Sequence, residues 1–156
     1  MSVVSLLRPE VIALDPPWRG FRDTVAGLVS TLGAAGQIAR GSEADAVRAV
    51  VAREAEQSTA VLETEVGVPH ARLPGLAATS VALGISREGF YEPVPTVRIR
   101  IVALVLSPPD ATDDHLRVLA GIATLLRSPE LRTALLRAGR IEAAWRALSS
   151  HERAAP

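Results

Sequence analysis

The sequence predicts an α/β fold: a single domain with one β-sheet and helices packed on its faces. Three observations carry that expectation. Apolar residues recur at helical spacing, as Phe21, Val25, Leu28, Val29 and Leu32 do. The run Val97–Leu106 alternates at first and then turns wholly apolar, the pattern of a strand entering the middle of a covered sheet. Strand-like and helix-like segments interleave along the chain. At 156 residues the chain suits one domain and one hydrophobic core, with a packed part of about 6–148 and a frayed tail over 149–156.

Taken in order, Val11–Leu14 reads as a short strand stopped by Asp15-Pro16-Pro17. The helix that follows carries the Phe21–Leu32 stripe and is closed by Gly33 and Gly36. Ser42 suits the N-cap of a second helix reaching about Gln57, with Val47, Val50 and Val51 as its apolar face. Helical period disappears between Thr59 and Leu76, where Thr, Val, Gly and Pro indicate short strands and a loop. Thr79–Ile85 and Val97–Leu106 are strands, the latter ended by Ser107-Pro108-Pro109-Asp110. Thr112–Leu126 is a helix whose apolar face is Leu116, Leu119, Ile122, Ala123 and Leu126. Ser128-Pro129 starts another, closed by Gly139, and Ile141–Leu148 is a last short one.

Composition narrows the function. Seventeen basic and seventeen acidic side chains cancel, so no global field attracts nucleic acid or an anionic membrane. With 3% aromatic residues a base-stacking platform is not expected. The absence of cysteine excludes disulfides, thiolate metal sites and cysteine nucleophiles, and a reducing cytoplasm is the simplest setting. Met1–Leu7 lacks the basic start and apolar length of a signal peptide, and no apolar stretch approaches the ~18 residues of a membrane span. A cytoplasmic domain, or the soluble piece of a larger transporter, is expected. The histidines lack metal-ligand spacing, and no Walker-type loop or Gly-x-Ser-x-Gly elbow occurs, so neither metal nor cofactor is expected.

Three places could carry chemistry. His70 follows Val66-Gly67-Val68-Pro69; the proline should end the strand and leave His70 projecting from a loop, as a nucleophile or as an ordinary loop histidine. His115 sits in the first turns of a helix after Asp110, Asp113 and Asp114, whose carboxylates would favour a protonated ring; it is otherwise a polar helix-start residue. Arg53 could be a fixed cation beside an anion, or a solvated charge paired with Glu54 or Glu56. His151, in the tail, reads as a solvated surface residue.

Read together, Arg53-Glu54-x-x-x-Ser58-Thr59, then Val66-Gly67-Val68-Pro69-His70-Ala71-Arg72, then Asp114-His115-Leu116-x-x-Leu119-Ala120, the chain resembles the mannitol/fructose-type enzyme IIA domain of the phosphotransferase system, including its nitrogen-regulatory branch. The resemblance covers about Leu6 to Leu148 and implies that family's mixed sheet flanked by helices. It implies that His70 accepts a phosphoryl group, on Nε2, from an HPr-like phosphocarrier and passes it to a IIB domain. It also implies that His115 and Arg53 lie near that site, where their charge could stabilise the phosphate, and Ser58, Thr59 and Arg72 are further candidates for binding it. Ala60–Glu65 departs from the family pattern: it has no glycine and is one residue longer, Gly67 replaces a common alanine, and Glu63 and Glu65 add charge expected to oppose phosphate. The alternative is a regulatory IIA-like domain that controls a transporter, such as a cation:proton antiporter, without passing phosphate to sugar.

Overall fold

A computed structural model describes residues 2–154. Along the chain lie β1 (Ile12–Leu14), α1 (Phe21–Ala34), α2 (Glu43–Glu56), β2 (Ala60–Val61), β3 (Val66–Gly67), β4 (His70–Arg72), β5 (Ser80–Ile85), β6 (Tyr91–Val94), β7 (Val97–Ile99), β8 (Ile101–Ser107), α3 (Thr112–Leu125), α4 (Pro129–Arg137) and α5 (Ile141–Ala154). The main sheet has the order β1-β5-β8-β3-β2, and β4 continues along β8 beyond β3. It is mixed: β1 runs parallel to β5, β5 antiparallel to β8, and both β3 and β4 parallel to β8.

β8 is buried along its whole length and splits the core by side-chain parity. Ile101, Ala103 and Val105 pack with Ile122, Leu135, Ala144 and Leu148 of the last three helices. Val102, Leu104 and Leu106 pack with Val25, Leu28, Ala46 and Val50 of the first two. The sheet thus divides the single expected core into two apolar layers, one on each face. Polar side chains at the C-terminal end of β8 escape both layers, and the candidate residues gather there.

Several elements differ from expectation. The Val97–Leu106 run is two strands broken at Arg100, whose N–H donates to the Glu65 carbonyl at 2.9 Å. Its alternating half, β7, pairs with β6 in a separate two-stranded sheet. β6 is not legible in the sequence because Pro93 interrupts it and Pro95 follows. Gly33 lies inside α1, and Gly36, at φ +75°, closes it. Ser42 sits in a 3-10 turn and makes no capping bond, whereas Ser128 caps α4 as expected, accepting from the Leu131 N–H at 3.2 Å. α5 continues through Ser149 to Ala154, so most of the expected frayed tail, His151 included, is helical; residues 155–156 lie outside the described part. On α3 the buried face is His115, Ile122 and Leu125, while Leu116 is 57% exposed and Ala123 is exposed. The polar His115 occupies an inward position that an apolar count assigns to its neighbour.

Gly67 matters for a steric reason. A Cβ there would overlap the Tyr91 hydroxyl, which is buried and has no hydrogen-bond partner. Burial first, and the Glu54 carboxylate second, push the Tyr91 pKa well above its ordinary value. Gly67→Ala should cost about 1–3 kcal/mol by overpacking. Tyr91→Phe should be neutral or stabilising because it removes an unsatisfied group. In the Tyr91→Phe background Gly67→Ala should cost much less. A urea-unfolding double-mutant cycle reads that coupling, and additive costs would show the contact to be inert.

Candidate functional site

β3 and β4 are one strand interrupted by Val68-Pro69. Pro69 has no N–H, but its carbonyl still accepts from the Val105 N–H at 3.0 Å, and the pairing with β8 resumes at His70↔Val105 in the register left at Gly67↔Val102. The proline therefore interrupts the strand without ending it, and His70 opens a strand instead of standing in a loop. Since Ala71 faces the α1/α2 layer, alternation turns His70 and Arg72 to the α3 side.

There His115 meets His70. The ring centroids are 5.3 Å apart with planes at 62°. His70 is half-buried, and His115 is buried at 5% exposure. The Nδ1 of His70 lies 2.8 Å from the Val68 carbonyl oxygen. A carbonyl can only accept, so Nδ1 carries the proton and Nε2 of the neutral ring keeps a free lone pair. Nδ1 of His115 lies 2.6 Å from the buried Ser107 Oγ. Thr79 Oγ1 in turn donates to Ser107 Oγ at 3.2 Å.

Two guanidinium groups complete the site. Arg72 donates to the Pro109 carbonyl at 2.8 Å and to Thr112 Oγ1 at 2.9 Å, which ties β4 to the start of α3. Arg53, from the helix layer on the other face, donates to the Gln57 carbonyl at 3.3 Å, and its charge is felt at His115. Among the described residues β4 is paired only on its β8 side. Among the described residues neither arginine forms an ion pair, so both keep charge available for an anion.

The expected roles of Ser58 and Thr59 meet a competitor. Glu54 accepts from the Thr59 N–H at 2.9 Å, the Thr59 hydroxyl at 2.7 Å and the Ser58 hydroxyl at 3.3 Å. Both hydroxyl protons are thus committed to closing the turn after α2. Glu54 is occupied in that turn and does not pair with Arg53.

The charge around His115 also reverses expectation. Its pKa is lowered, first by burial, then by repulsion from His70 when that ring is protonated, and then by the positive charge of Arg72 and Arg53. Asp110, Asp113 and Asp114 are exposed and do not offset this. Glu65 is harmless for a different reason: it pairs with Arg100 at 3.4 Å, about 16 Å along β8 from His70 at ~3.3 Å per residue, beyond the screening length of ~8 Å. Exposed Glu63 lies in the same β2–β3 turn. Surface hollows of about 590 Å³ and 490 Å³ are lined by α4 residues and by the Phe21–Tyr91 region, and neither contains a histidine.

The family model described as the phosphoenolpyruvate-dependent sugar phosphotransferase system EIIA 2 matches residues 5–151. The chain belongs to this family. Among known proteins it is similar to the fructose-specific EIIABC component of Bacillus subtilis, with 26% identity over 98% of the chain. The chain spans only 24% of that relative's length. It is also similar to the fructose-specific EIIA component of Haloferax volcanii, 27% identical over 86% of this chain and 87% of that protein. In fold it matches the nitrogen regulatory protein IIA-Ntr of Neisseria meningitidis, with a TM-score of 0.79 and 24% identity over 94% of this chain and 98% of that one. This EIIA chain has no helix, among its described residues, long and apolar enough to cross a membrane.

Ser107, Thr79 and the turn-closing role of Glu54 escaped the sequence reading. The available signal was Ser107 itself, a hydroxyl where an otherwise apolar strand stops. Because the folded-state pKa of His115 is lowered, the unfolded chain binds the extra proton more readily. Its contribution to stability is therefore complete above the ordinary value of 6.5 and is lost as pH falls through the lowered folded value. Urea midpoints should drop as pH falls below about 6.5, and less so in His115→Asn. Equal drops in both proteins would count against this assignment.

Proposed function

We propose that this EIIA domain is a phosphocarrier: His70 takes a phosphoryl group from phosphorylated HPr and hands it to a IIB domain. The observation that carries the reading is the His70–Val68 hydrogen bond, which leaves Nε2 bare; among the described residues Arg53 and Arg72 form no ion pair and are available to an anion there. In the forward step the Nε2 lone pair attacks phosphorus while the N–P bond to the donor histidine breaks and the electron pair returns to the donor ring. As His70 becomes positive, its Nδ1–H strengthens its bond to the Val68 carbonyl. Arg53 and Arg72 face the transferred oxygens. Such transfer needs positioning and charge stabilisation more than covalent machinery.

The IIB partner is supported by the Bacillus relative, whose name joins A, B and C components in one chain. A cytoplasmic setting, free or attached to a membrane component, follows from that partner. The fold likeness to a nitrogen regulatory protein keeps a second use open, in which the phosphorylation state of His70 is read by a transporter or another regulator.

Incubation with enzyme I, HPr and phosphoenolpyruvate should give an acid-labile label that His70→Ala abolishes. Arg53→Ala should slow labelling by about 10- to 100-fold with unchanged melting behaviour. A protein that stays unlabelled with several HPr donors, or a label that survives His70→Ala, would overturn the reading. Transfer onward to a IIB protein, compared with retention of the label, separates the uptake role from the regulatory one.

A further inference from the structure

Thr79, Ser107 and His115 form a chain of hydrogen bonds that the transfer step above does not use. Ser107 Oγ is 0% exposed and has a single proton. It accepts from Thr79 Oγ1 at 3.2 Å, so that proton is free to point at Nδ1 of His115, 2.6 Å away. An Nδ1 that accepts must be bare, and a neutral ring then carries its hydrogen on Nε2. Side-chain parity supports the arrangement. Thr79 precedes β5 on the face of Val81, and Ser107 ends β8 on the face of Val105, the same face that α3 covers.

We propose that Ser107, held by Thr79, is a positioning residue that fixes His115 as the Nε2–H tautomer, so that a neutral His115 donates a hydrogen bond to the phosphoryl group on His70. The inference rests on the phosphocarrier reading for its phosphate, and on geometry alone for its tautomer. The two rings, 5.3 Å apart, then hold opposite tautomers. Val68 offers only an acceptor, so His70 keeps its proton on Nδ1 and a lone pair on Nε2. Ser107 offers a donor, so His115 has the reverse. One ring supplies the nucleophile and the other supplies a hydrogen-bond donor for what the nucleophile acquires. The fixed charges that face His115 are Arg72 on β4 and Arg53 on α2, joined by His70 only when that ring is protonated, while the carboxylates of Asp113 and Asp114 on its own helix are exposed. A neutral donor adds attraction for phosphate at this crowded cationic spot without adding a further charge.

The test is ¹⁵N NMR of the imidazoles in the unphosphorylated protein, above the ordinary histidine pKa of about 6.5. His115 should show Nδ1 as unprotonated and Nε2 as protonated. Ser107→Ala should move both signals toward an average of exchanging tautomers and slow phosphorylation of His70 by phosphorylated HPr about tenfold. Thr79→Val should do the same more weakly, and Thr79→Ser should restore the wild-type spectrum and rate. A loss of packing alone would move neither the tautomer nor its recovery in Thr79→Ser. If Ser107→Ala fails to fold, the half-buried Thr79 pair decides. Protonated Nδ1 in the wild-type protein, or unchanged tautomer and rate in the variants, would overturn the inference. The spectrum needs no phosphoryl donor, so it stands apart from the labelling test. Labelled His70 beside an Nδ1-protonated His115 sinks this inference and leaves the phosphocarrier reading intact.

Discussion

The 2.8 Å contact between the Val68 carbonyl and Nδ1 of His70 is the interaction on which the site depends. It selects one of two nearly equal tautomers and sets the orientation of the ring. It lies where Val68-Pro69 interrupts the strand and Pro69 has no N–H to donate. It survives because β8 takes up the register again directly afterwards. Without that bond a half-buried histidine would divide its proton between two nitrogens.

The remainder of the fold holds that geometry from two sides. Each face of β8 is covered by apolar helices, which makes the strand a stiff rod with polar groups only at its end. His70, Arg72, Ser107 and the start of α3 all gather at that end, while Arg53 belongs to α2 in the opposite layer. Arg72 bonds to Pro109 and Thr112 and so connects strand to helix. The spacing of the two rings is therefore set by backbone elements on both sides. Glu54 adds a third brace by holding Thr59 and Ser58 in the turn that leads into the hairpin.

Much of this was legible in the sequence. The α1 stripe, the Ser128-Pro129 start and the all-apolar half of β8 follow from period and capping chemistry, and the string from Arg53 to His115 located the family. What the chain did not reveal depends on partners distant in sequence. Arg100 breaks a strand because Glu65 meets it, and no local pattern announces that. His115 turns inward although it is polar, because a serine eight residues earlier satisfies it. The protonation expected from three nearby aspartates fails because burial and cations from two other elements outweigh carboxylates that face water. Gly67 looks like a departure in the string, and becomes intelligible once the Tyr91 hydroxyl is seen against it.

The unbroken register across Val68-Pro69 also governs where this chain tolerates changes of length. One residue added or removed between Gly67 and His70 would invert the parity of β4, send the imidazole into the α1/α2 layer and bring Ala71 out in its place. The same change in the turn between β2 and β3 is absorbed by the hairpin tip, far from the rings. A change in the length of Ala60–Glu65 would thus leave the rings in place, whereas the two residues before the imidazole act as a fixed spacer. Homologues should vary freely in the first stretch and hold to one length in the second.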